Sequence, residues 1–288
     1  MKSLLRNLVS GLRTDAAKEP FGVKGAVAYS IDELALRRKR QGSGTSVMPD
    51  AAPLVAQLRD AGFAQVANFL STDQIAEFQE ALQVAIQNNP QWVNPATPYD
   101  LRLHGAENVD ARFKWFSDHP LLNEVARTYL EMPARVAFTL GAALQSVPGN
   151  PGSGGGWHRD SYGRQFKTMV YLTDVGEDSG PFQIVERSHH FAKVIGDNTK
   201  MAQAYGNSRL SHEQVMELLK TTGEARLHTL SGSAGTLLLF DSSTIHRGMP
   251  IRTGERMALT NYFYPEADID QGLYEHFRPV AGHTTPRD

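Results

Sequence analysis

Gly152-Ser153-Gly154-Gly155-Gly156-Trp157-His158-Arg159-Asp160 is the stretch from which the chain is best read. The glycine run marks a turn, and Gly156 to Asp160 reads as a short strand after it. In extended backbone, positions i and i+2 face the same side. His158 and Asp160 therefore aim an imidazole and a carboxylate at one point. Outward from this stretch the texture is uniform. Val136 to Ser146, Lys167 to Leu172, Phe182 to Val185, Ala225 to Leu230, Gly235 to Phe240, Thr244 to Arg247 and Arg256 to Tyr264 are short alternating segments between Gly, Pro, Asp and Ser. Many short strands with frequent turn signals predict a sandwich or barrel.

The flanks are helical. Leu54 to Leu58 reads as a short helix, and Gly62 to Leu70 alternates roughly as a strand. Ser71-Thr72-Asp73-Gln74 has the form of a capping box. It predicts a helix with Ile75, Phe78, Leu82 and Ala85 or Ile86 on one face, ending before Pro90. A further helix is expected over Leu121 to Leu130, and Ser211-His212-Glu213-Gln214 opens one that runs through Leu219. No repeat of fixed period is present.

The chain has 288 residues, 41% hydrophobic and 21% charged, enough for one sizeable domain with an added arm. A net charge of -2 does not favour nucleic acid. With no cysteine there is no disulfide, thiolate ligand or cysteine nucleophile, and a cytoplasmic location is expected. Any metal must be held by nitrogen and oxygen. Residues 1–50 read as the arm. Leu4, Leu5, Leu8, Val9 and Leu12 form a helical stripe, either packed on the domain or a partner subunit, or serving as a weak membrane-surface anchor. Arg37-Arg38-Lys39-Arg40 runs into Gly/Ser-rich sequence and is expected to be a solvated loop. Residues 51–288 are the domain, with its β core over about 135–266.

An H-x-D pair alone is a weak signal. A two-His, one-carboxylate face on iron needs a third ligand, and it leaves three adjacent octahedral positions open. Of ten histidines, His246 stands out. It follows the apolar strand Gly235 to Phe240 and lies among apolar neighbours at the start of another. His189 and His190 are weaker candidates, in an expected loop.

These landmarks together resemble the phytanoyl-CoA dioxygenase family of Fe(II)/2-oxoglutarate oxygenases. Leu58-Arg59-Asp60-Ala61-Gly62-Phe63 with Asn68-Phe69-Leu70-Ser71 resembles that family's first strand and helix start. Trp157-His158-Arg159-Asp160 resembles its metal-binding W-H-x-D. Val170 to Val175 followed by Ser179-Gly180-Pro181-Phe182 resembles its next strand and turn. Val185-Glu186-Arg187-Ser188-His189 resembles its P-G-S-H stretch, with Glu186-Arg187 where Pro-Gly is usual. Gly232 to Asp241, then His246-Arg247-Gly248, resembles its distal histidine strand, and Arg256 stands ten residues later, where the family has its 2-oxoglutarate arginine. The resemblance covers roughly residues 51–266.

The resemblance implies a mainly β fold with flanking helices: a double-stranded β-helix, a cupin-like jelly roll. It implies Fe(II) held by His158, Asp160 and His246, and a dioxygenase that converts 2-oxoglutarate and O2 to succinate and CO2 while hydroxylating an unactivated C–H of a small-molecule substrate. Arg256 would grip the far carboxylate of 2-oxoglutarate, helped by Gln145, Thr168, or, with the strand register moved by one, Lys167. Trp157, Arg159, Tyr162, Arg164 and Tyr171, with Phe166, are candidates for the substrate pocket. A membrane-associated lipopolysaccharide sugar such as Kdo is an alternative substrate. A zinc hydrolase, or a non-catalytic binding protein on the same fold, is the alternative of a different class. A homo-oligomer fits the sequence equally well.

Overall fold

The computed structural model describes residues 13–14, 19–40, 48–90, 93, 99–148, 152–153, 155–223 and 226–273. The stripe expected over the first 12 residues lies outside them.

Among the described residues, nine strands form two antiparallel sheets. They are β1 (Phe63–Val66), β2 (Asp100–His104), β3 (Ala134–Gln145), β4 (Phe166–Tyr171), β5 (Phe182–Val185), β6 (Leu227–Leu230), β7 (Leu237–Asp241), β8 (His246–Gly248) and β9 (Glu255–Pro265). The large sheet runs β1-β7-β4-β9-β3-β2 and the small one β6-β5-β8. Such non-consecutive neighbours are the mark of a jelly roll rather than a meander, and the fold is the double-stranded β-helix expected from the sequence. β4 and β9 sit at the centre of the large sheet, so both faces of each are covered.

The helices are α1 (Val23–Lys39), α2 (Ala51–Asp60), α3 (Thr72–Asn88), α4 (Ala111–Ser117), α5 (Pro120–Leu130), α6 (Phe191–Lys200) and α7 (His212–Thr222). Ser71 forms the expected capping box with Gln74, and Ser211 forms another with Gln214 at the start of the helix expected there. Side chains of α2 to α5, among them Leu58, Leu82, Phe116 and Val125, pack on one face of the large sheet against Phe166, Val170, Leu239, Met257 and Leu259. The other face meets the small sheet through Met169, Tyr171, Ala258, Phe182 and Ile184. On β4 and β9 the side chains thus divide by parity between a helix-facing and a sheet-facing core.

Two expectations need correction. Gly156 to Asp160 is not a strand: Gly155 and Gly156 have φ of 71° and 94°, and only His158 makes bridges. The basic cluster is helical through Lys39, not a loop, because α1 extends to that residue. The same helix brings the arm onto the domain, where Phe21 and Tyr29 pack with Val194 of α6 and with Tyr162.

Candidate metal centre

The backbone brings the triad together. His158 and His246 exchange N–H to O=C bonds, each 2.9 Å. Asp160 N–H donates to Ser242 O and Arg159 N–H to Ser208 O, both at 2.9 Å. Alternate amides thus point to opposite flanks, and residues 158–160 keep extended alternation outside any strand. His158 and Asp160 share one side and Arg159 takes the other. The turn leading into β8 is fixed by Asp241, which accepts from Ser243 N–H at 2.8 Å and from Gln165 N–H at 3.2 Å. Its other oxygen accepts the Tyr129 hydroxyl at 2.5 Å.

One ligand atom each from His158, Asp160 and His246 lies within 4.8 Å of the others. The Asp160 carboxylate is 3.4 Å from His158 Nε2 and 3.9 Å from His246 Nε2. Each imidazole has its Nδ1 on a backbone carbonyl two residues back: His158 on Gly156 O at 2.8 Å, His246 on Thr244 O at 2.9 Å. With Nδ1 donating, the Nε2 lone pairs are free to face the shared point, the tautomer a divalent metal requires. Burial, reinforced by His158, pushes His246 down to about 3, so its ring is neutral near pH 7.

Lys167 completes the electrostatics. Its Nζ lies 2.5 Å from Asp160 Oδ2 and 3.8 Å from the centre of the Tyr262 ring. Burial would raise the Asp160 carboxyl, but the Lys167 charge and the two imidazoles hold it well below the usual range. Burial also works against the Lys167 ammonium, and Asp160 with Tyr262 more than offsets it, leaving its pKa above the ordinary lysine value.

The triad opens on a cavity of about 470 Å³ between the sheets. Arg256 lines it, buried, donating to Gly180 O and with Nε lacking a hydrogen-bond partner. On β9, Arg256, Ala258, Thr260, Tyr262 and Tyr264 all face the cavity. On β4, Lys167 and Met169 do. Thr168 therefore lies on the helix face of the sheet, and it does not line the cavity. Gln145 is exposed at the end of β3, where Leu140 and Ala142 supply the cavity wall. Of the three proposed helpers for Arg256, only Lys167 enters the cavity.

Of the aromatic and arginine candidates for the substrate pocket, none lines the cavity of the triad. Trp157 is buried with Val185, Met201 and Leu218, its indole beside His212 and under the Arg247 guanidinium. Arg159 is 1% exposed and donates to Ser188 O and Ser243 O, bracing loops behind the triad. Tyr162 stacks on the arm and donates to Asn207 O. Tyr171 bridges Leu230 O and Phe182 N–H between the sheets, and Phe166 packs under the helices. Arg164 faces a second cavity that adjoins the first.

Sequence reading missed Arg102, Gln165, Arg209, Tyr262 and Tyr264, which all line the cavity. Two signals were present. Tyr262 and Tyr264 continue the two-residue spacing from Arg256. Asp100-Leu101-Arg102-Leu103-His104 alternates polar and apolar as a strand should, with Leu103 in the helix-facing core and Arg102 toward the cavity.

The sequence model of the phytanoyl-CoA dioxygenase (PhyH) family matches residues 58–258. No curated protein sequence matches the chain. Among solved structures it is similar to EctD from S. alaskensis with bound Fe, at TM-score 0.61 and 15% identity over 79% of this chain and 81% of that one. It is also similar to the non-heme alpha ketoglutarate dependent carbocyclase SnoK from nogalamycin biosynthesis, at TM-score 0.56 and 15% identity over 81% and 94%. A third is HygX from Streptomyces hygroscopicus with nickel, 2-oxoglutarate and hygromycin B bound, at TM-score 0.54 and 17% identity over 74% and 87%. At such identities the likeness is one of fold.

Proposed function

Because this chain belongs to the phytanoyl-CoA dioxygenase (PhyH) family, we propose that it is an Fe(II)/2-oxoglutarate-dependent dioxygenase that hydroxylates an unactivated C–H of a small-molecule substrate. The observation that carries the reading is the cluster of His158, Asp160 and His246 ligand atoms within 4.8 Å. The donor set fits ferrous iron: two imidazoles with Nδ1 committed to backbone carbonyls, one ionised carboxylate, and a cavity on the remaining side. Iron, 2-oxoglutarate and O2 would supply the oxidising chemistry, with succinate and CO2 as co-products.

The residues divide the work. His158 and His246 supply nitrogen ligands, and Asp160 supplies the oxygen. Lys167 occupies Asp160 Oδ2, which favours one-oxygen ligation through Oδ1. Arg256 offers its guanidinium to the far carboxylate of 2-oxoglutarate, and its partnerless buried Nε supports that role. Met169, Phe182 and Phe240 line the cavity with apolar surface that limits water near the reacting carbon. EctD and HygX, with Fe or nickel and 2-oxoglutarate in their structures, support the same cofactors here. Residues 1–50 serve as an accessory arm to a catalytic unit over 51–288, and the cysteine-free chain suits the cytoplasm.

The test is anaerobic reconstitution with Fe(II) and 2-oxoglutarate, followed by O2 and measurement of succinate. Wild type is expected to release succinate slowly without substrate, and Asp160→Ala to lose most of this. Full succinate release by Asp160→Ala would overturn the ligand set. Hydroxylated product from a metabolite panel, as opposed to a cyclised, epimerised or hydrolysed one, would establish the reaction type.

A further inference from the structure

A second cavity, of about 820 Å³, shares Asp160, Gln165 and Tyr264 with the cavity of the triad. Its walls come from four separate places in the chain: the end of α1, the end of α5 through Pro133, the segment from Asp160 to Gln165, and the end of β9 with the turn that follows it. Arg38, Lys39 and Arg40 enter from the first and Arg164 from the third.

The two inner arginines are held in place yet keep donors in reserve. Arg164 gives one N–H to Tyr129 O at 2.7 Å and lies over the Tyr129 ring, 5.0 Å from its centre. Its nearest carboxylate, Glu131, is 3.6 Å away. The Arg40 side chain is 11% exposed, with Glu33 at 3.4 Å. Both separations exceed a normal N–H to O hydrogen bond of about 2.7–3.2 Å, so each guanidinium retains N–H groups for another acceptor. Burial, then the nearby charge of Arg164, lowers Arg40 from its ordinary value, so the two cations feel each other across the cavity. Arg38 and Lys39 add charge at the exposed rim; of the acids in the wall, Glu266 and Asp268 are exposed and Asp160 is paired with Lys167. Basic residues in the last turn of α1 are favourable for the helix dipole alone. That does not account for Arg164, which belongs to another segment and points its charge into the same space.

We propose that Arg38, Lys39, Arg40 and Arg164 form a subsite for an oxyanion group of the substrate, placing the carbon to be oxidised in the adjoining cavity. The substrate class is thus a small molecule bearing a phosphate or carboxylate at one end and an apolar or neutral C–H position at the other. Guanidinium pairs suit such groups because their planar donors match two oxyanion oxygens. This deepens the oxygenase reading above and rests on it for the chemistry, though not for the binding.

The probe is inorganic phosphate, a weak ligand for Ni(II), titrated calorimetrically into full-length protein loaded with Ni(II) and saturated with 2-oxoglutarate, which keeps Arg256 occupied. Succinate is titrated in parallel to separate phosphate from carboxylate preference. Saturable binding of either anion is expected, weakening at least tenfold in Arg40→Ala/Arg164→Ala and with rising salt. Arg40→Lys/Arg164→Lys should recover part of the affinity, and Lys220→Ala, a surface lysine of α7, should change nothing. Thermal midpoints identify any variant that fails to fold; for these the single Arg38→Ala variant, at the exposed rim, carries the test and should weaken binding severalfold. No saturable binding to wild type, or equal binding to folded arginine variants, overturns the subsite. Anion binding in a protein that releases no succinate from 2-oxoglutarate would sustain the subsite and count against the oxygenase reading alone.

Discussion

Replacing Lys167 with Met removes the cation beside Asp160 while keeping side-chain length. The pair is close, 2.5 Å, and shielded: the lysine side chain is 7% exposed and the aspartate 23%. Deleting one partner of a buried pair costs about 3–5 kcal/mol, because the other charge is stranded. Asp160 opens on a cavity that admits water, which argues for the lower end, and the lost contact with the Tyr262 ring adds about 0.5–1 kcal/mol. A loss of about 3.5–4 kcal/mol lowers the midpoint of metal-free protein by roughly 7–16 °C in a domain of this size. A divalent ion at the triad supplies the missing countercharge. Ni(II) should therefore raise the midpoint of Lys167→Met by several degrees more than that of wild type. Thermal and urea unfolding with and without Ni(II) measures both effects. A metal-free variant within 1 kcal/mol of wild type, or an identical rise on adding Ni(II), would refute the argument that Lys167 and the metal share one carboxylate.

Arg256→Lys keeps a positive charge but loses the planar fork, so the apparent affinity for 2-oxoglutarate should drop about 10–100-fold, read from succinate release against 2-oxoglutarate concentration. Tyr129→Phe removes the hydroxyl from Asp241 Oδ2 and should cost about 1–3 kcal/mol in urea unfolding; a loss below 0.5 kcal/mol would mean that water replaces it. Burial pushes His189 down to about 4 and His246 to about 3. Both rings are neutral when folded and take up protons on unfolding below about pH 6.5. The metal-free protein should therefore be fully stable above that pH and lose stability as pH falls toward 4. His189→Gln should remove up to about 3 kcal/mol of that loss at pH 4, and an unchanged slope would contradict the assignment.

Legibility followed the range of the forces involved. The capping box at Ser71 and the helix start at Ser211 act within four residues and were read correctly. Strands β4, β5, β7 and β9 announce themselves by local composition, and their observed ends fall within one or two residues of those expected. Helix α1 was missed because Val23 to Lys39 has no apolar stripe and no side-chain cap; it is held by Phe21, Tyr29 and Val194, a contact between distant segments. Gln145 and Thr168 were misplaced because a one-residue change of parity sends a side chain to the opposite face, and composition does not fix parity in strands buried on both sides over most of their length.

The sequence by itself determined the chemistry available: no thiolate, an H-x-D pair, a histidine after an apolar strand, and an arginine ten residues on. Spacing of two residues in extended backbone was enough to aim His158 and Asp160 together. Only the tertiary structure decided that His246 pairs with His158 through reciprocal backbone bonds, that Lys167 rather than Thr168 faces the cavity of the triad, and that the basic end of α1 lines the adjoining cavity. Those outcomes depend on strand register and on packing between segments far apart in the chain. Such contacts are set by burial of the whole core, which no local pattern records.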